Sequence, residues 1–164
     1  MQDRPSEPTD HKLRQFAGYT MKRAFLALRA DVTATLAPFE LRTATFSALG
    51  IIIENPDLTQ SQLAQALGVE RSGIVVLVDE LENRDLISRN KVKGDRRSYA
   101  LRVTLAGRRL WQKAEAAMQR HEDRICSGLS AAEREALNDM LRRVETAAAA
   151  LGEGGGGGKA NAYD

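Results

Sequence analysis

Residues 59–83 read TQSQLAQALGVERSGIVVLVDELEN, and this stretch decides the fold. Thr59 and Gln62 stand at the spacing of a capping box, in which the threonine hydroxyl and the glutamine amide satisfy orphan helix-start donors reciprocally. Leu63, Ala66 and Leu67 follow on one helix face. Gly68 falls where a helix ends on a left-handed residue. A second helix runs from about Arg71 to Asn83, its core stripe being Ile74, Leu77, Val78 and Leu81 at i, i+3, i+4 and i+7. Two short helices around a glycine turn predict a helix-turn-helix pair, a pattern that plain helix packing also produces.

The segment C-terminal to the pair is more specific. The period changes from helical to alternating: Leu86 to Arg89 reads as a short strand, and Tyr99, Leu101 and Val103 alternate with Ser98, Ala100 and Arg102 as another. Lys91 to Arg97 joins them as a basic hairpin loop with Gly94 near its tip. Helices flank this unit. Lys12 to Leu36 is apolar on more than one side, which suggests burial in a larger interface. Ala37-Pro38-Phe39-Glu40 breaks it, and a helix from about Thr43 to Glu54 follows, with Phe46, Leu49, Ile52 and Ile53 inward. Thr104 caps a long helix to about Ile125. Ser130 and Glu133 form a second capping box, opening a last helix with Leu137, Met140, Leu141, Val144, Ala148 and Leu151 inward.

The predicted fold class is mainly α with a small β-wing: a winged helix-turn-helix over residues 43–104, with dimerisation helices at 12–42 and 105–151. Residues 1–11 and the Gly-rich tail 152–164 are expected to be disordered. The chain of 164 residues is 43% hydrophobic, enough for one compact core. It has no apolar run of about 18 residues, so no membrane span is expected. Its start is polar and lacks a secretory h-region, so a cytoplasmic location is expected.

The formal net charge of +2 understates a segregation. Between Arg84 and Arg109 nine Lys/Arg face only Asp85 and Asp95, a net +7 that leaves −5 for the remainder. A basic hairpin beside a helix pair is what a duplex requires: a helix fits the major groove, and cations on a projecting wing reach backbone or minor groove. Duplex DNA is therefore the expected partner.

These residues resemble the MarR family of bacterial transcription regulators. The resemblance rests on Leu58-Thr59-Gln60-Ser61-Gln62-Leu63-Ala64 through Leu67-Gly68-Val69, on Arg71-Ser72 and on Leu77-Val78-Asp79-Glu80-Leu81-Glu82. Gly94-Asp95-Arg96-Arg97 and Thr104-Leu105-Ala106-Gly107-Arg108 complete it, and it covers about Lys12 to Leu151. It implies a homodimer on a near-palindromic operator, and repression relieved by a small, often aromatic acid bound between the dimer interface and the winged domain. Some similar regulators answer to the coenzyme A thioester of such an acid, so a small aromatic acid or an acyl-CoA is the expected effector.

Carried onto this chain, the resemblance makes Ser61 to Leu67 the support helix and Arg71 to Asn83 the recognition helix. The DNA-binding candidates are Ser61, Gln62, Arg71, Ser72, Val75, Val76, Lys91, Lys93, Asp95, Arg96 and Arg97. Asp95 would orient Arg97, which leaves Arg96 free for the minor groove. The segments that line the family's pocket supply Phe16, Tyr19, Arg23, Phe39, Phe46 and Trp111 as effector candidates, although aromatics at helical spacing also serve as core. Arg14, Arg23 and Arg29 could receive a carboxylate or a coenzyme A phosphate.

The chain departs from the family pattern at four places. Glu70 stands where a Ser cap is usual, Gly73 and the Val75-Val76 pair replace Thr and Arg, and Glu80 replaces a common cation. Val75 and Val76 either face the groove, where they could meet thymine methyls, or add packing.

Other functions are set aside on the residues. One cysteine, Cys126, and two histidines, His11 and His121, supply no metal set, so no metal and no cofactor are expected. The family's redox branch needs a cysteine in the first helix, whereas Cys126 ends a later one. Residues 154–159 mimic a phosphate loop but lack its first glycine and its Ser/Thr. No catalytic triad or carboxylate pair has supporting context, so no catalytic residue is named and no enzyme is expected; His121 is expected to pack or face solvent. The rival reading is a winged-helix protein–protein module whose basic wing docks an acidic partner.

Overall fold

A computed structural model describes residues 9–92 and 95–154, with the backbone alone at 92, 95–98 and 152–154. Six α-helices and a two-stranded antiparallel sheet occur in the order α1 (Ala17–Leu36), α2 (Thr43–Glu54), α3 (Gln60–Leu67), α4 (Arg71–Asn83), β1 (Ile87–Val92), β2 (Asp95–Val103), α5 (Leu105–Ile125) and α6 (Ala131–Gly154). A short 3-10 turn, Ala37–Phe39, with Pro38 early in it, separates α1 from α2.

The caps form as the sequence predicts. Thr59 Oγ1 accepts from the Gln62 N–H and Gln62 Oε1 accepts from the Thr59 N–H at 2.7 Å. Gly68 takes φ +66, the left-handed turn between α3 and α4. Thr104 Oγ1 accepts from the Gly107 N–H at 3.0 Å, and the Ser130–Glu133 box closes at 2.8 and 3.3 Å. α4 starts on Glu70 with no side-chain cap, as that residue predicts.

The core is the helix-turn-helix itself. Leu49 and Ile52 of α2, Leu63 of α3, Ile74, Val78 and Leu81 of α4 and Leu101 of β2 are essentially inaccessible. An isolated bridge between Thr59 and Ala100 seats the start of α3 on the wing. α1 packs on α5 and on the 3-10 turn.

Four expectations change. α1 begins at Ala17 rather than Lys12, because residues 11–15 turn and Phe16 is extended at φ −93, ψ 120. Asp10 holds that turn, accepting from Arg14 Nε at 2.8 Å and from the Tyr19 hydroxyl at 2.9 Å. The hairpin is strand almost to its tip: Lys91 pairs with Tyr99 and Val92 with Asp95, with a register shift between them. Such a bulge accommodates unequal strand lengths, which alternation cannot reveal. α6 continues past Leu151 to Gly154. Its stripe does not turn inward on this chain either: Leu137, Met140, Leu141, Val144 and Leu151 are all exposed. Residues 1–8 and 155–164, where disorder is expected, lie outside the described residues.

Candidate nucleic-acid interface

α4 lies on the core through Ile74, Leu77, Val78 and Leu81, which turns Arg71, Ser72, Gly73, Val75 and Val76 to solvent. Val75 is 42% and Val76 65% exposed, so both reach the solvent-facing side of α4. Ser61 is exposed on α3. Gln62 is exposed too, but its amide oxygen is committed to the cap of its own helix.

The acids of α4 are not free. Arg89 of β1 pairs with Asp79 and stands 3.1 Å from Glu82, while Arg42 pairs with Glu80. The outward face of the helix is therefore less acidic than its sequence. The same pairing thins the basic segment. Of the nine cations between residues 84 and 109, Arg89 is spent on α4, and Arg102 grips Asp57 through two bonds of 2.5 and 2.6 Å. That grip holds the Asp57 carboxyl below the usual carboxylate range. Arg84 donates to the main-chain oxygens of Glu40 and Phe39 at 2.5 and 3.1 Å, tying the end of α4 to the α1–α2 corner. Arg71, Lys91, Arg108 and Arg109 form no ion pair among the described residues. Lys93 and the side chains of Asp95, Arg96 and Arg97 lie outside the described residues.

The six effector candidates divide. Phe46 of α2 and Trp111 of α5 stack with centroids 4.2 Å apart and planes at 21°, and both are partly buried. The indole lies so close to Gly50 that a Cβ there would meet it at 2.6 Å. Phe39 is packed against the core edge. Phe16 is 59% exposed and Arg23 is exposed, while the Tyr19 hydroxyl is held by Asp10. A shallow cavity of about 270 Å³ lies elsewhere, between the end of α2 and the start of α5, lined by Ile52, Ile53, Pro56, Arg102, Val103 and Arg108.

One polar contact was hidden from sequence reasoning. His121 is buried on α5 and donates its Nδ1–H to Asp31 of α1 at 2.6 Å, with Arg124 on the same carboxylate oxygen at 3.2 Å. The only available signal was a histidine on an otherwise apolar stripe. Cys126 sits beside Glu122, and burial and that carboxylate push its thiol up, away from the reactive thiolate. No group of three or more metal-ligating side chains occurs among the described residues. No single helix among them is long and apolar enough to cross a membrane.

An exposed helix on a helix-turn-helix core, with a two-stranded wing beside it, is the architecture of a winged-helix DNA-binding protein. Comparison with known proteins narrows the class. The MarR family model matches residues 40–98. A relative from Thauera aromatica, named for transcriptional regulation of the hcr operon, is 34% identical over 128 residues, 77% of each chain. The solved structure of the transcriptional repressor CouR on a 23-mer DNA duplex is 36% identical, covers 85% of this chain and 99% of its own, and superposes with a TM-score of 0.81. CouR bound to p-coumaroyl-CoA is 33% identical, with 85% and 98% coverage and a TM-score of 0.74. The chain belongs to the MarR family and is a DNA-binding transcription regulator of that type.

Proposed function

We propose that the protein is a homodimeric repressor that a small aromatic acid or its coenzyme A thioester releases from a near-palindromic operator. The observation that carries the reading is the exposed outward strip of α4, Arg71, Ser72, Val75 and Val76, beside α4 acids already paired to Arg42 and Arg89. Arg71 and Ser72 meet phosphate or base edges near the helix start. Ser61 of α3 touches the backbone, and Gln62 does so through its amide nitrogen alone. Lys91 and Lys93 contact phosphates from the wing, Asp95 orients Arg97, and Arg96 enters the minor groove.

Dimerisation is supported by the exposed apolar strips of α1 and α6, which no described residue of this chain covers. Residues 12–42 and 105–151 supply that interface, and paired recognition helices then address half-sites about 10 bp apart. CouR, at 33% identity, binds p-coumaroyl-CoA, which supports an acyl-CoA or its parent acid as effector here. The Phe46–Trp111 stack forms an aromatic wall for the ring, and Phe39, at the corner gripped by Arg84, can pass occupancy on to α4. Phe16, Tyr19 and Arg23 on exposed α1 serve the acid or nucleotide portion at the dimer seam.

Trp111 is the chain's one tryptophan, so its fluorescence reports the site directly. The test titrates aromatic acids and their coenzyme A thioesters against the protein on a selected duplex, following indole emission and duplex release together. An effector changes both at the same concentration. No duplex binding at any salt concentration would instead favour a protein-docking wing.

A further inference from the structure

The outward strip of α4 carries an unusual chemistry. Ser72 and Val76 stand one turn apart on it, with Val75 on its flank. Scattered exposed apolar residues need no cover. These two valines, however, occupy the part of the helix that a winged-helix protein lays against base edges, where side chains that donate or accept hydrogen bonds are expected. Their partner has to be one that rewards methyl groups.

The major groove offers one apolar group, the C5 methyl of thymine. A valine over cytosine or adenine would instead strip water from an amino group without replacing its hydrogen bond. The setting suits a duplex rather than a protein. Arg71 is exposed at the start of α4, one turn before the valines, the acids further along α4 are paired with Arg42 and Arg89, and CouR, at 36% identity, is seen on a duplex. Gly73 presents open space, since a Cβ there would meet nothing within 4 Å, so the helix backbone can approach closely at that turn.

We infer that Val75 and Val76 read thymine methyls, so that each operator half-site carries thymines beneath the first two turns of α4. This rests on the duplex-binding reading above and names what its central contacts recognise. Specificity here comes from apolar contact and from the desolvation penalty on wrong bases, with Arg71 and the wing holding the register.

The probe is a duplex selected by the full-length protein from a random-sequence pool. Deoxyuridine then replaces thymine position by position in one half-site, which removes the methyl and leaves every hydrogen-bonding group. Under the valines each replacement is expected to weaken binding about fourfold, the worth of one buried methyl. Val75→Ala with Val76→Ala weakens binding to the thymine duplex and adds no further loss on the deoxyuridine duplex, the signature of a shared contact. Both side chains are exposed, so thermal unfolding checks that the variant keeps its fold. Tight binding that ignores every deoxyuridine replacement, or losses that simply add, overturns the inference while leaving the regulator reading intact. Failure to retain any duplex at low salt overturns both.

Discussion

The imidazole of His121 donates to the carboxylate of Asp31 over 2.6 Å, joining α5 to α1 with the histidine buried and the aspartate half-exposed. That hydrogen bond first, and Arg124 second, hold the Asp31 carboxyl below its ordinary range. A carboxyl depressed by folding stabilises fully above its unfolded value of about 3.9, and the contribution disappears as pH falls through the lower folded value. Asp31→Asn is expected to lower the urea midpoint at neutral pH and to flatten the acid limb below about pH 4. The two stability curves should converge in strong acid. Parallel curves would show that the pair contributes nothing.

Gly107 explains why the sequence demands a glycine three residues after Thr104. A Cβ at that position would stand 2.0 Å from the Leu86 carbonyl oxygen and 2.9 Å from Val103 Cγ2. That carbonyl is fixed, since it accepts from the Thr104 N–H at 3.0 Å and from the Thr104 hydroxyl at 3.2 Å. Gly107→Ala is expected to cost about 3 kcal/mol or more, because neither backbone can yield. Gly73→Ala, in open space, should instead stabilise by about 0.5–1 kcal/mol. Chemical denaturation of both variants checks the contrast, and equal effects would refute the close-packing explanation.

The contrast also marks how far one sequence can be read. Residues 59–83 were legible because their signals are local: a box four residues long, one glycine and a 3.6-residue stripe, although on α3 it is Ala64 that is buried and Ala66 that is exposed. The starts of α5 and α6 were legible for the same reason. The partners of Arg84, Arg89 and Arg102 lie 44, 10 and 45 residues away, and the partner of His121 lies 90 away. No spacing rule reaches that far, so three cations counted toward the DNA surface are in fact structural. The α6 stripe was legible as apolar, yet no described residue of this chain covers it. Among the effector candidates, the fold stacks Phe46 of α2 on Trp111 of α5, 65 residues apart in sequence.

That sorting of cations predicts two kinds of arginine variant. Arg71 has no ionic partner among the described residues and stands at the exposed start of α4. Arg71→Ala should weaken duplex binding across sequences and reduce the salt slope by about one. Arg102 is gripped by Asp57, so Arg102→Ala should leave the salt slope unchanged and act on stability through the α2–β2 junction. Affinity measured over a salt series separates them. An unchanged slope for Arg71→Ala would remove it from the phosphate contacts, and a lowered slope for Arg102→Ala would return that cation to the interface.

Leu137, Met140, Leu141 and Val144 fall at i, i+3, i+4 and i+7 of α6, between 39% and 52% exposed. Such a helix gains little packing from the described residues of its own chain, and the homodimer proposed above would supply it. Sedimentation at micromolar concentration is expected to give twice the 18.0 kDa chain mass. Val144→Glu places a charge in the strip, where desolvation costs several kcal/mol per ion. The variant should sediment as a monomer and lose the operator. Its circular dichroism should keep the helix-turn-helix and wing, whose core does not include α6. A wild-type monomer, or a Val144→Glu protein that remains paired, would place the dimer contact elsewhere.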